Sequence, residues 1–193
     1  MEIAECKQMD PTLHPNWQLL NDKFCGTRGS DRIVGGKTPE LGDFPWIARV
    51  GYTNYVKPIC MIYGDQLTKS YIKEYTEVAG WGISHIDNPQ PSTILQAVKL
   101  PVRDLQTCID SFKVFAKIGP TQICVGGKEG EDSCGGDSGG PLMKVEAEHG
   151  LGPRYYLLGV VSFGAKKCGS STMPGIYTRV ADFMDWILDR MRP

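Results

Sequence analysis

The sequence predicts a mostly β fold finished by a C-terminal helix. Its apolar stretches are short, rich in β-branched and aromatic residues, and bounded by Gly, Pro, Asn and Asp, as strands are. Turn formers recur throughout, with 23 glycines and 13 prolines in 193 residues, so the chain is organised as short runs separated by turns. Only two stretches carry helical spacing.

In chain order, residues 1–32 are polar and contain His14-Pro15, Cys25-Gly26 and the GTRGSD stretch; they read as a linker with little regular structure. Strands are expected in FPWIARVGY (Phe44–Tyr52), YTEVAGWGI (Tyr75–Ile83) and ILQAVKLPV (Ile94–Val102). Three more follow in PLMKV (Pro141–Val145), YYLLGVVSFG (Tyr155–Gly164) and GIYTRV (Gly175–Val180). VRDLQTCIDSF (Val102–Phe112) reads as a short surface helix. VADFMDWILDRM (Val180–Met191) reads as the terminal one, with Phe183, Trp186, Ile187 and Met191 near one face and its arginines late, where a helix C-terminus favours them.

A chain 41% hydrophobic and 22% charged suits one or two small packed domains. The formal net charge of -1 gives no basic excess for nucleic acid, and no 18-residue apolar run is present to span a bilayer. The opening MEIAECKQMD has neither the basic start nor the apolar stretch of a signal peptide, so export is not expected to be encoded in this chain. The cysteines point the other way. Seven of them, Cys6, Cys25, Cys60, Cys108, Cys124, Cys134 and Cys168, lack the close CxxC spacing of a zinc site, and neither a metal nor a cofactor is expected. Two readings remain open: disulfides of an extracellular protein, which the Gly- and Pro-rich composition favours, or reduced core thiols. The odd count leaves one cysteine over, and Cys6, alone in a polar segment, is the natural candidate.

The densest chemical signal is DSCGGDSGGPL, Asp132 to Leu142. Its glycines permit tight backbone angles and let N–H groups converge without Cβ atoms in the way, which an oxyanion site requires. Gly136 and Ser138 would supply those donors, and Asp137 could accept from a buried ammonium or a backbone group. A glycine-rich surface turn is the competing reading. Upstream, RIVGG (Arg32–Gly36) follows an exposed polar stretch suited to proteolytic nicking. A cut after Arg32 would create an ammonium on Ile33 able to insert beside Asp137, a buried pair that orders its surroundings only when both partners are present.

Further motifs recur in a fixed order: FPW (Phe44–Trp46), KPIC (Lys57–Cys60), VAGWG (Val78–Gly82), ICVGG (Ile123–Gly127), GVVSFG (Gly159–Gly164) and PGIYTRV (Pro174–Val180). Together with RIVGG, DSCGGDSGGPL and the WI-containing helix, they make residues 33–193 resemble the trypsin/chymotrypsin-like serine proteases, peptidase S1, and within them the arthropod clip-domain proteases of haemolymph cascades. The resemblance implies a trypsin-like double β-barrel, here an incomplete first barrel plus a complete second barrel and C-terminal helix. It divides the chain into a light-chain or clip-linker remnant, 1–32, and a peptidase S1-like domain, 33–193, with a large internal deletion near 54/55.

Carried over residue by residue, the resemblance implies Ser138 as nucleophile and the N–H groups of Gly136 and Ser138 as the oxyanion hole. Asp132 matches the carboxylate at the base of an S1 pocket that selects Arg or Lys, because a substrate cation entering a desolvated pocket needs a counterion. Ser162, Phe163, Gly164 and Gly175 would form the walls, with Phe163 standing where the family commonly has Trp. Activation would follow cleavage after Arg32, the Ile33 ammonium pairing with Asp137. The implied disulfides are Cys108–Cys124, Cys134–Cys168 and Cys25–Cys60, the last tethering the cleaved light segment; Cys6 would be a remnant of the clip-domain region.

The chain departs from the family where the general base belongs. A serine hydroxyl is a poor nucleophile until an adjacent base takes its proton, and a carboxylate orients that base. The family carries these in AAHC-type and DIAL-type motifs between FPW and KPIC. Here only ten residues, Ile47 to Val56, separate Trp46 from Lys57, and neither motif is present. His14 in the linker, His85 after the WG motif and His149 in a charged loop read as solvated surface residues, none mapping onto the base. The same gap removes most of the first barrel, so exposed strand edges and an unfilled apolar face are expected. The complete form would be a secreted zymogen-cascade endopeptidase with an upstream activating protease, protein substrates cut after Arg or Lys, and a serpin inhibitor; this chain would turn over little or nothing. The alternative is a protease-like decoy, adaptor or cofactor in the same cascade.

Overall fold

The computed structural model describes residues 10–20, 25–26, 57–84, 89–147, 152–165, 168–169 and 172–191. Cys6, Arg32, Ile33, the strand expected at Phe44–Tyr52, His85 and His149 lie outside the described residues.

Among the described residues the strands are β1 (Cys60–Met61), β2 (Tyr75–Gly80), β3 (Gln96–Arg103), β4 (Gln122–Gly126), β5 (Pro141–Ala147), β6 (Pro153–Phe163) and β7 (Pro174–Arg179). They form one sheet in the order β1-β6-β5-β2-β3-β4-β7, and β7 returns to pair with β6. The result is a closed antiparallel barrel of six strands, β2 to β7, with β1 added outside the ring in parallel to β6, Cys60 opposite Tyr156. Closure removes the ring's own edges, so the open edges expected from the sequence reduce, among the described residues, to the two-residue β1.

Alternation along each strand fills the barrel. Leu100 and Val102 of β3, Ile123 and Val125 of β4, Leu142 of β5 and Tyr177 of β7 point inward with Val78, Leu158 and Val161 into one buried cluster. Each such aliphatic side chain contributes about 1.5–3 kcal/mol on burial. Small residues admit the large ones: a Cβ on Gly159 would lie 3.2 Å from Leu142 Cδ2 and 2.9 Å from the Thr178 carbonyl oxygen. In the β6–β7 ladder Val161 pairs with Tyr177 and Phe163 with Ile176, which leaves Ser162 as a bulge.

Among the described residues two α-helices cover the outside. α1 (Leu105–Phe112) begins at Asp104, whose side chain accepts from the Gln106 N–H at 2.8 Å, and packs Cys108 and Phe112 over β4 and β7. α2 (Met184–Arg190) continues a 3-10 turn, Val180–Phe183. Its buried residues are Met184 and Leu188, while Phe183 and Trp186 stay exposed at 38% and 59%. The buried face therefore lies one position round from the one read in the sequence: Met184 packs into the cluster that holds Cys60 and Met61 of β1 and Leu188 is fully buried, while Ile187 is only partly buried against that cluster.

The N-terminal stretch departs further from expectation. Asp10–Leu20 forms two 3-10 turns, Pro11–Leu13 and Pro15–Leu19, that dock on α2. His14 is not solvated: its side chain is 12% exposed and hydrogen-bonded to Asp189. Composition marked this stretch as polar, whereas its contacts come from residues about 170 positions away in sequence.

Candidate active site

The connection from β4 to β5, residues 127–140, carries most of the candidate residues. Asp137 Oδ1 accepts from the Gly82 N–H at 2.8 Å and Oδ2 from the Cys134 N–H at 2.9 Å. A Cβ on Gly80 would come within 2.2 Å of Asp137 Oδ1, and one on Gly82 within 2.5 Å of its carboxylate. Both glycines of GWG are thus required by the carboxylate's position, a signal present in VAGWG.

Past Asp137 the chain makes a tight turn. The Gly140 N–H donates to the Asp137 carbonyl at 2.8 Å, with Ser138 and the left-handed Gly139 at its corners. The turn is fastened to β6: the Gly139 N–H donates to the Val161 carbonyl and the Val161 N–H to the Gly140 carbonyl, each at 2.9 Å. Ser138 is left exposed at the tip. Gly136, at φ +99°, adopts a backbone conformation that side chains oppose, and among the described residues neither its N–H nor that of Ser138 is taken by a hydrogen bond. Two backbone donors thus stand available beside a hydroxyl.

Asp132 lies deeper. Its Oδ1 is 3.6 Å from where a Cβ on Gly175 would sit, and a Cβ on Gly164 would in turn lie 3.6 Å from Gly175 Cα. Gly164, Gly175 and Asp132 therefore lie close together, two residues without side chains beside a carboxylate. Beside them the Ser133 and Tyr177 hydroxyls are hydrogen-bonded at 2.8 Å. Cys134 and Cys168 are disulfide-bonded, and the Gly130 N–H donates to the Gly169 carbonyl at 2.7 Å, which holds the loop from the far side. Burial pushes the Asp132 carboxyl from its ordinary 3.8 up to about 6, against the pull of N–H bonds from Gly169 and Ser133, with the Asp137 charge adding to the rise.

Asp132 and Asp137 share a cavity of about 250 Å³, whose other lining residues include Gly80, Gln96 and Ser133 and, among the described residues, no Lys or Arg. Glu131 also lines the recess and pairs with Lys128, so Asp132 and Asp137 are the lining carboxylates without a cation beside them among the described residues. Phe163, 39% exposed, stands beyond the Ser162 bulge and meets Phe112 of α1 edge-on, ring centroids 5.6 Å apart, a contact the sequence did not indicate.

The structure joins Cys25 to Cys60 and Cys108 to Cys124, with Cα separations of 4.9 and 5.8 Å. Among the described residues no group of three His, Cys, Asp or Glu is placed to hold a metal ion. The described histidine, His14, is engaged at α2, where its ring accepts from the Asn16 N–H and meets Asp189.

A family model described as Trypsin matches residues 48–187. The Spaetzle-processing enzyme of Drosophila melanogaster is 41% identical over 145 residues, covering 75% of this chain and 36% of its own length. Phenoloxidase-activating factor 1 of Holotrichia diomphalia is 38% identical over 146 residues, covering 75% and 38%, and CLIP domain-containing serine protease HP8 of Bombyx mori 38% over 145, covering 72% and 37%. The chain thus spans little more than a third of the length of these curated relatives. With its closed second barrel and these matches across most of its length, the chain belongs to the trypsin family of serine peptidases, in close relation to the arthropod CLIP-domain proteases.

Proposed function

We propose that this chain represents a secreted, trypsin-like endopeptidase of a zymogen cascade that in its complete form cleaves after Arg or Lys, and that the polypeptide as it stands has little or no turnover. What supports the specificity is that Gly175 lies beside the Asp132 carboxylate and Gly164 beside Gly175: in this reading two residues without side chains leave room for a long one, and a desolvated carboxylate meets its charge. Ser162 and Phe163 complete the walls. Ser138 is the nucleophile and the N–H groups of Gly136 and Ser138 the oxyanion donors. Activation is by a cut after Arg32, made by an upstream protease, with the Ile33 ammonium entering the recess beside Asp137. Residues 1–32 are then the light segment, tethered through Cys25–Cys60, and 33–193 the peptidase domain.

The low turnover follows from the ten residues between Trp46 and Lys57, which carry no histidine and leave room for a large deletion near 54/55. Without a base, oxyanion donors and binding retain only about 10³–10⁴-fold acceleration over water. Three disulfides suit an oxidising compartment, hence an extracellular location, and the names of the relatives, a processing enzyme and an activating factor, support protein substrates in an immune cascade, with a serpin as inhibitor.

The test is to cut the chain after Arg32 and assay Arg- and Lys-ended peptide substrates. No turnover above background is expected, with an arginine-mimicking amidine still bound and its binding lost in Asp132→Asn. Turnover abolished by Ser138→Ala refutes the inactive reading. The intact, anionic recess favours a second reading, a pseudoprotease that binds basic segments of cascade proteins as decoy, adaptor or cofactor; Asp132-dependent binding of such a protein without cleavage distinguishes it.

A further inference from the structure

A helix ends with four carbonyls that its own turns leave without partners, and many helices solve this with a glycine in the left-handed conformation. α2 does not. Its C-cap, Met191, is extended at φ -70° and ψ 143°, with its N–H reaching Ile187 and Leu188 carbonyls at 3.2 and 3.3 Å. A further and shorter donor comes from the other end of the chain: Asn16 Nδ2 donates to the Leu188 carbonyl at 2.8 Å and to the Met191 carbonyl at 3.3 Å.

Asn16 is itself aimed by its neighbours. Its N–H donates to His14 Nδ1 at 3.1 Å, which leaves the ring proton on Nε2 to donate to Asp189 Oδ1 at 3.2 Å. Asp10 accepts from the Thr12 N–H and hydroxyl at 3.0 and 2.8 Å, and Pro11 and Pro15 preset the backbone at the start of each 3-10 turn. Pro11 is fully buried, and Trp17 meets Tyr63 edge-on with centroids 5.6 Å apart. Trp17 and Leu20 also pack against the cluster that includes Cys25, Cys60 and Met184. A passive linker needs none of these contacts. The ordering cost of this stretch is lowered by two prolines, and its polar groups match the far helix donor to acceptor.

We propose that Asp10–Leu20 is a docking strap whose site is the C-terminus of α2, and that it holds the N-terminal segment to the second barrel independently of the Cys25–Cys60 disulfide. A light segment severed anywhere between Gly26 and Gly36 then stays attached by two separate means, the strap and the disulfide. The inference does not depend on which bond is cut in activation or on any catalytic role.

The experiment uses the full chain with Cys25→Ser and Cys60→Ser and one specific protease site placed within residues 27–31. After cutting, gel filtration at micromolar concentration is expected to show the N-terminal fragment co-eluting with the barrel. Asn16→Asp removes the donor and sets a carboxylate against the negative end of the helix, so retention should weaken at least tenfold, whereas Leu13→Ala, exposed by 77%, should leave it unchanged. Release of the fragment from the parent, or equal retention of Asn16→Asp, overturns the proposal. If the serine variant does not fold, hydrogen exchange in the oxidised, uncut chain decides: protected Asn16 side-chain amide protons that lose protection in His14→Ala support it, and unprotected ones overturn it.

Discussion

Replacing Asp132 by Asn should stabilise the folded chain, and increasingly so as pH rises. Below pH 3.8 the carboxyl is protonated whether the chain is folded or not, so it contributes no pH dependence. Between 3.8 and about 6 the unfolded chain has released its proton while the folded chain keeps it, and stability falls with rising pH; above about 6 the whole cost is present. A difference of about two pH units at about 1.4 kcal/mol each sets an upper bound near 3 kcal/mol. Asp132 is only half-buried, so water screens part of this, and about 1–1.5 kcal/mol is expected between pH 4 and pH 8. With a denaturant slope of about 1–3 kcal/mol per molar urea, the midpoint advantage of Asp132→Asn should grow by roughly 0.3–1.5 M. The assay is urea unfolding of the oxidised protein at pH 4 and pH 8, followed by tryptophan fluorescence. An advantage equal at the two pH values, or one that shrinks as pH rises, refutes the reasoning.

Gly82→Ala puts a methyl within 2.5 Å of the Asp137 carboxylate and threatens the N–H bond it accepts, so a loss of about 2 kcal/mol or more is expected in the same urea assay. The two sides of α2 should respond oppositely: Leu188→Ala should cost about 2–5 kcal/mol and Trp186→Ser under about 0.5. Replacing Cys108 and Cys124 together by Ala, which opens a loop of 16 residues, should cost about 3 kcal/mol and lower the thermal midpoint without changing far-ultraviolet circular dichroism at 20 °C.

β-Branched and aromatic runs bounded by turn formers made β2, β3, β5, β6 and β7 legible, although β2 and β7 are buried along most of their length rather than on alternate residues. β4 was seen only as the motif ICVGG and not as a strand; its place is set by β3 and β7 on either side. β1 owes its two residues to a partner that begins almost a hundred positions later, which no local pattern encodes. The α2 face was misread for a related reason, because a helix so short presents apolar residues on several sides and its neighbours choose among them. In the candidate site, Asp137 and Ser138 were visible through their glycine surroundings, and Asp132 only through the family resemblance. The requirement for Gly80 and Gly82 was not, although both stand in the sequence, because what fills the space beside them is a side chain 55 residues away from Gly82. The strap was hidden by composition, since Asn16 and His14 look like solvent-facing residues until the end of α2 is brought to them.

The order of strands around the ring also dictates when it can be completed. β2 and β3 are neighbours in sequence and can pair as soon as both exist, but β2 must wait for β5 on its other side, and β3 and β4 remain one arc until β7 arrives. The closing ladder, between β6 and β7, uses Gly159 to Phe163 and residues up to Arg179. The ring therefore cannot close until β7, the last of the described strands in chain order, has been made. Such long-range pairing is slow to nucleate and leaves half-built sheets exposed in the interval. The geometry that protects the finished molecule from edge-to-edge association is therefore the last that a nascent chain can acquire, and its risk of aggregation is concentrated in biogenesis rather than in the native state.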